Sequence, residues 1–468
     1  MKENNRSQRT KLMEEGDIKK TLLTLAIPTI IATLISAIYN FVDTLFVGML
    51  NDTAAMGAVS IAFPLFMIIS ALGQMLGVGS ASHVSRSLGQ GNKKEADKTA
   101  TTALFLAIVI SIVVTILVII FLKPIFILMG ASETIIGPSL EYSRWLILGS
   151  IFTIINMTLN NLIRAEGNAK YSMNALIIGA VLNIIFDPIF MFTFGLKLKG
   201  AAIATVLGQA ISTIYLLSYY MKKNSYVNIE KNLISKNKAT YIEIFKIGLP
   251  VFFMQFLSSI AFGIQNAATS TYGDDALAAV GTTLKINMIP LYIMMGYNQG
   301  FQPFAAYNYG AKNLDRVKEG LKISTIWIMS FGFIFTILFC MLPEPFIKLF
   351  TKDPQVIAYG INNLIAFNIF TPLVGFTLIH TGLFQSLGKG IQSAILSIVR
   401  QGLFLIPTLI ILPKLFIRYG SNLSFLTKLL PNSMNYGLYG IMYAQPLADL
   451  MSFILTGLLA ISLNKEFK

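Results

Sequence analysis

The chain has 468 residues, of which 54% are hydrophobic and only 12% charged, and its mean hydropathy is +0.67. A soluble protein carries roughly 25% charged residues, so a soluble globular fold is excluded. The net charge of +14 would suit nucleic acid, but its distribution along the chain assigns it another meaning.

Residues 1–21 are polar and read as a cytoplasmic N-terminal segment. No cleavable signal peptide is expected, because the apolar stretch that follows is too long for an h-region. Apolar stretches of 18 or more residues then recur, each able to cross roughly 30 Å of hydrocarbon as a helix. Alternation of period two is missing, which argues against a transmembrane barrel. Twelve spans are predicted at about 22–48, 58–80, 100–122, 140–163, 172–193, 198–221, 244–270, 280–306, 320–343, 357–383, 391–412 and 434–462. The first six make an N-lobe, 22–221, and the last six fall in a C-lobe, 244–468. The lysine-rich stretch 222–243 joins them as a cytoplasmic linker.

With the N-terminus inside, the cytoplasmic segments hold about 25 of the 36 Lys and Arg residues and the outer loops about 9. That is the positive-inside bias. The basic charge therefore orients a multi-pass protein with both termini cytoplasmic, and it does not point to nucleic acid. The single cysteine, Cys340, can form no internal disulfide. His83 and His380 are far apart in sequence with no Cys or acidic cluster near either, so no metal or cofactor is expected. "GVGSAS" (77–82) lacks the lysine and the strand of a phosphate-binding loop. No nucleophile motif or soluble catalytic domain is visible, so an enzyme is disfavoured.

The chain contains itself twice. Residues 25–61 parallel 247–284, with Pro28 matching Pro250. "SLGQGNKKEADK" (87–98) parallels "NYGAKNLDRVKE" (308–319), and "NLIRAEGNAK" (161–170) parallels "GLFQSLGKGI" (382–391). Pro188 matches Pro407. Six spans per half make this a parallel repeat about an axis along the membrane normal, an arrangement that places a substrate path between the halves. The copies disagree at informative places: Asp43 pairs with Gln265, Asp187 with Ile406, and Thr205 with Gln445. The first half carries carboxylates where the second has none, which points to a titratable or cation-binding site in the N-lobe alone.

Depth supports this reading. At 1.5 Å of rise per residue, Asp43 lies roughly 8 Å below the outer end of span 1, Asp187 roughly 9 Å down span 5 and Thr205 roughly 10 Å down span 6. Asn183 is one turn below Asp187 on the same face, and Tyr142, near the outer start of span 4, can reach the same layer. Pro188 has no N–H, so the carbonyl of Ile184 loses its helical partner and span 5 is expected to bend. The hard oxygens of Asp43, Asp187, Asn183 and Thr205 suit a sodium ion. A shared proton fits equally well, because desolvation and like-charge repulsion oppose two bare carboxylates in a dry site. Buried acids cost several kcal/mol and usually mark pathways. Gln265, Lys285 and Arg400 are candidates for a substrate cavity. The 20 methionines and 34 phenylalanines suit one that takes varied flat ligands.

"NFVDTLFVG" (40–48), "RAEGNAK" (164–170), "NIIFDPIF" (183–190) and "GAAIAT" (200–205), set in two six-span halves, resemble the multidrug and toxic compound extrusion (MATE) family. The resemblance covers nearly the whole chain and is closest to the DinF-type and MepA-like bacterial branch. It implies an all-α polytopic membrane protein whose twelve helices form two pseudo-symmetric lobes in a V, opening alternately to either side. It implies export driven by inward flow of protons or sodium, with an ion site at Asp43, Asp187, Asn183, Thr205 and Tyr142, and Asn160 as a further match. The depth estimate puts Asn160 near the inner end of span 4, away from that layer. The expected protein is a monomeric antiporter in a bacterial plasma membrane, with amphipathic, cationic aromatic substrates and membrane lipids as its partners. The alternative on the same fold is a flippase or exporter of a lipid-linked or anionic metabolite.

Overall fold

The computed structural model describes residues 11–419 and 436–466. Residues 1–10 of the expected N-terminal segment, 434–435 of the last expected span and 467–468 of the tail lie outside the described residues. Those described are helical with no strand. In chain order the helices are α1 (Ile18–Gly48), α2 (Thr53–Gly89), α3 (Lys93–Leu128), α4 (Glu133–Leu148), α5 (Ser150–Ala165), α6 (Ala169–Pro188) and α7 (Lys197–Met221). They continue as α8 (Lys238–Ser270), α9 (Asp274–Gly310), α10 (Leu314–Met341), the short α11 (Pro343–Lys348), α12 (Pro354–Asn368), α13 (Thr371–Ser386), α14 (Gly390–Ile398), α15 (Ile406–Tyr419) and α16 (Tyr436–Glu466).

Ten of these segments are long and apolar enough to cross a membrane singly. Two bent pairs, α4 with α5 at 45° and α12 with α13 at 46°, bring the count to as many as 12. The chain is thus a multi-pass all-α membrane protein. Both broken spans are fourth in their half, so the repeat extends to the irregularities. It extends further to π-helical turns, Ile189–Thr193 after α6 and Val399–Leu405 between α14 and α15. Each adjoins a matched proline, Pro188 or Pro407. A residue that cannot donate leaves the ladder to close through a wider turn.

Helix starts follow local chemistry. Asp52 accepts from the amides of Ala54 and Ala55, Asn168 from Tyr171, and Asp353, followed by Pro354, from Gln355 and Val356. These caps satisfy amides that a helix leaves unpaired. The "RAEGNAK" stretch is a compact stop and restart. Gly167 takes φ +79°, a conformation that costs a Cβ-bearing residue, and lets Asn168 N–H close back onto the Ile163 carbonyl at 3.2 Å. Between the two, Glu166 fastens the linker by accepting from Ser225 Oγ at 2.6 Å and Tyr226 N–H at 2.7 Å.

The chain forms two compact units. The first holds the described residues up to Gln255 together with Gly296–Gly320 and Gln385–Gly390, and the second holds the remainder. The boundary between these units runs through α8 and α9. In the first unit α2 packs on α5, α1 on α6, and α6 on α7. The α6–α7 approach is close enough that a Cβ on Gly208 would sit 2.8 Å from the Gly179 carbonyl. Small residues at such a crossing replace the hydrophobic drive that lipid cannot supply. In the second unit Ala261, Leu405, Leu409, Ile441, Ala444 and Ala448 make a core joining α8, α15 and α16.

Candidate functional site

The packing of α1 on α6 and of α6 on α7 decides which polar groups meet. Asp43 lies on α1 five residues before its end at Gly48. Asp187 is in the last turn of α6, directly before Pro188 and the π turn, and its side chain is fully buried. The two carboxyl groups lie within hydrogen-bond reach of each other. Ionised carboxylates are acceptors only, so such a contact is a bond only with a proton between them. Without one it is a like-charge repulsion.

Asn183, one turn before Asp187 on α6, directs its amide nitrogen at both Asp187 Oδ1 (3.4 Å) and Thr205 Oγ1 on α7 (3.3 Å). A single amide shared over two long contacts holds neither strongly. Three buried oxygens of this set have no hydrogen-bond partner among the described residues: Asp43 Oδ1, Asp187 Oδ2 and Asn183 Oδ1. Buried polar atoms are almost always satisfied, so three acceptors left open on touching residues describe a place for a proton or a small cation. The donor set is all oxygen, which suits a hard ion. Among the described residues, no Lys or Arg pairs with Asp43 or Asp187, and no cluster of three or more His, Cys, Asp or Glu is placed to hold a metal ion.

Tyr142 on α4 is buried and within electrostatic reach of Asp43, Asp187 and Tyr39. Tyr39 was missed from sequence, although it stands one turn before Asp43 on α1 and the i,i+4 spacing that selected Asn183 would have found it. Asn160 is not brought to this set. Its amide donates to Asn156 Oδ1 at 2.9 Å and its oxygen accepts from Ser172 Oγ. It belongs to a separate polar network on α5, at the depth near the inner end of the fourth span that its position in the sequence gives it.

The cavity candidates are scattered in character. Gln265 is buried on α8 and Lys285 is exposed on α9. Arg400, in the second π turn, is ion-paired: its Nε donates to Asp449 Oδ1 at 2.8 Å, and Gln445 Nε2 reaches the same oxygen at 3.0 Å. The intramembrane acid of the second half thus carries its own counter-charge, whereas the pair in the first half has none. His83 has one acid, Glu95, at 3.5 Å, and no metal-binding cluster forms around it among the described residues. The α2–α3 turn folds the two helices back together.

Comparison with known proteins agrees with the repeat. The MatE family model matches this chain twice, over residues 28–189 and 250–411. The multidrug export protein MepA of Staphylococcus aureus is 30% identical over 408 residues, covering 86% of this chain and 89% of MepA. The protein of the same name from Staphylococcus haemolyticus is 29% identical over the same shares. Among solved structures, an outward-facing multidrug resistance MATE transporter of the MOP superfamily superposes with a TM-score of 0.89 at 26% identity, over 98% of both chains. A MOP superfamily transporter from Pyrococcus furiosus, described as having a binding pocket of reverse polarity that suggests a different function, gives 0.86 at 26% identity over 97% of this chain and 98% of its own. With the model matched in both halves and the helices superposing from end to end, this chain belongs to the MatE family of transporters.

Proposed function

We propose that this protein is an ion-coupled multidrug efflux antiporter of a bacterial plasma membrane, with both termini cytoplasmic, exporting amphipathic, cationic aromatic compounds by alternating access. Its N-lobe (22–221), linker (222–243) and C-lobe (244–468) carry the transport cycle. One observation supports the coupling role above the others: two carboxyl groups lie side by side in a transmembrane bundle with no cationic side chain among the described residues to neutralise them, and with Asn183 they leave three acceptor atoms open. The names of the relatives support the substrate class.

In this reading a proton or sodium ion entering from outside loads between Asp43 and Asp187, with Asn183, Thr205 and Tyr142 completing the site. Charge cancellation draws α1 and α6 together. The π turn after Pro188 is the compliant element that takes up the movement, as broken ladders do where helices must bend. The same loading reshapes the drug path and releases drug outward. In sealed vesicles loaded with a cationic dye, a pH gradient and a sodium gradient imposed separately identify the ion. Asp187→Asn is expected to abolish efflux at normal expression, and full efflux by that variant would refute the coupling role.

A second reading, export of a lipid-linked or anionic metabolite, draws on the Pyrococcus furiosus relative of reversed pocket polarity and on Lys285, which is exposed and has no ion-pair partner among the described residues. Arg400 contributes less to it, being already neutralised by Asp449. Competition of an anionic lipid precursor against the dye separates the two readings.

A further inference from the structure

The first unit holds a second polar site, away from the carboxylate pair. Arg164, at the end of α5, is 6% exposed. Its Nη2 donates to Asn161 Oδ1 at 2.7 Å and its Nη1 to Ser172 Oγ at 3.3 Å. These are neutral partners, and among the described residues no acid lies within ion-pair distance of it. Glu166, its neighbour in sequence, is turned to Ser225 and Tyr226 instead. A guanidinium keeps its charge in any protein environment and has five N–H groups, so an unneutralised charge and several free donors remain. A buried charge left without a counter-charge is costly, and Arg164 stands in that condition.

Arg164 also lines a cavity of about 20 Å³, room for one or two waters or a single small ion. Gln299 lines it too, and its carboxamide makes no hydrogen bond among the described residues. Ser82, Ser85, Ser386, Asn161 and Gln302 are the other polar residues of the lining, and it contains no carboxylate. The hydroxyls of these serines donate to the carbonyls of Gln385, Ala165 and Gln302. Asn161 Nδ2 donates to Gln74 Oε1 and the Met157 carbonyl, and Gln302 Nε2 spends one N–H on Gln385, so the uncommitted donors lie mainly on Arg164 and Gln299.

We infer that this cavity binds a small inorganic monoanion of chloride size, held by the Arg164 guanidinium and the Gln299 amide. The ion supplies the counter-charge that the fold omits. It ties α2 and α5 to the 296–306 stretch of α9, all within one compact unit. The inference does not depend on the efflux reading.

The test uses the full-length protein in detergent, with N-methylglucamine as the sole cation so that sodium stays absent. Gluconate is replaced stepwise by chloride or bromide at constant ionic strength. The melting midpoint is expected to rise saturably, by about 2–4 °C at high halide. Crystals grown in bromide should give an anomalous peak within about 3.5 Å of Arg164. Arg164→Gln should lose the halide response. Should that variant fail to fold, Gln299→Leu keeps the guanidinium and should weaken halide binding about tenfold, as loss of one hydrogen bond does. Equal midpoints in chloride and gluconate, with no bromide peak, would show that only water fills the space and would overturn the inference. So would a halide response unchanged in the folded variants.

Discussion

Replacing Asp187 by asparagine separates a coupling role from a structural one, because the two predict opposite effects on stability. The substitution conserves shape and exchanges one carboxyl oxygen for an NH₂ group. In the structure that carboxyl has one oxygen 3.4 Å from Asn183, one oxygen unpartnered, and Asp43 within reach. An asparagine at 187 can donate to the Asp43 carboxylate, replacing an acceptor–acceptor contact by a charge-assisted hydrogen bond of about 1.5–3 kcal/mol. Only one weak contact is at risk in exchange. In sodium-free buffer at alkaline pH, where no ion fills the site, the melting midpoint of Asp187→Asn should equal or exceed that of the parent by about 1–2 °C. Transport should fail in the same preparation, because one fixed negative charge is gone and ion affinity falls by at least about tenfold for each 1.4 kcal/mol lost. The assay is a thermal melt and a dye efflux trace on one batch of protein. A variant several degrees less stable would show that Asp187 serves as a packing hydrogen bond, and the reasoning from its open oxygen would be wrong.

Other expectations follow from the same geometry. Thr205→Val keeps the volume but removes an oxygen facing Asn183, so half-saturation by the coupling ion should rise about tenfold with little change in maximal rate, read from efflux at graded ion concentrations. Asn160→Ala breaks a network away from the carboxylates. It should cost about 1–3 kcal/mol of stability while leaving ion dependence unchanged, and a shifted ion dependence would return Asn160 to the site. Arg400→Met strands Asp449 and should destabilise by about 3 kcal/mol or more. Adding Asp449→Leu should recover much of that loss, and a thermostability double-mutant cycle measures the coupling. Gly208→Ala places a methyl 2.8 Å from the Gly179 carbonyl and should cost about 1–3 kcal/mol through separation of α6 from α7.

The spans were legible because hydrocarbon thickness demands a minimum apolar length. Each expected span falls on a helix, a continuous helical run or a bent pair over its described residues, 320–343 overrunning the end of α10 by two residues. Helix ends were less so. The stretch 58–80 became α2, Thr53–Gly89, because hydropathy marks where lipid stops and not where backbone hydrogen bonding stops. The bend of the fifth span could be anticipated from Pro188, since a missing N–H is written in the sequence. The break between α4 and α5 depends on packing and left no comparable mark, whereas that between α12 and α13 falls just before Pro372, a mark that went unread. At the site, depth alone suggested that Asp43, Asp187, Asn183 and Thr205 share a layer. That α1 lies against α6, turning a shared layer into a contact, is a tertiary fact. From sequence, Arg400 reads as a cavity residue by itself, without Asp449. Opposite charges on consecutive spans within hydrocarbon are far less costly together, and that argument would have paired them.

The central claim is that the Asp43–Asp187 pair exchanges an external ion against drug, and its most direct test runs the cycle in reverse. Proteoliposomes holding the purified protein are given a dye gradient and no ion gradient, and internal pH and sodium are followed together. Dye flow should drive one of these ions uphill in the opposite direction, and Asp187→Asn vesicles should show no ion movement. Dye flow that moves neither ion, or an equal ion flux in the variant, would contradict it.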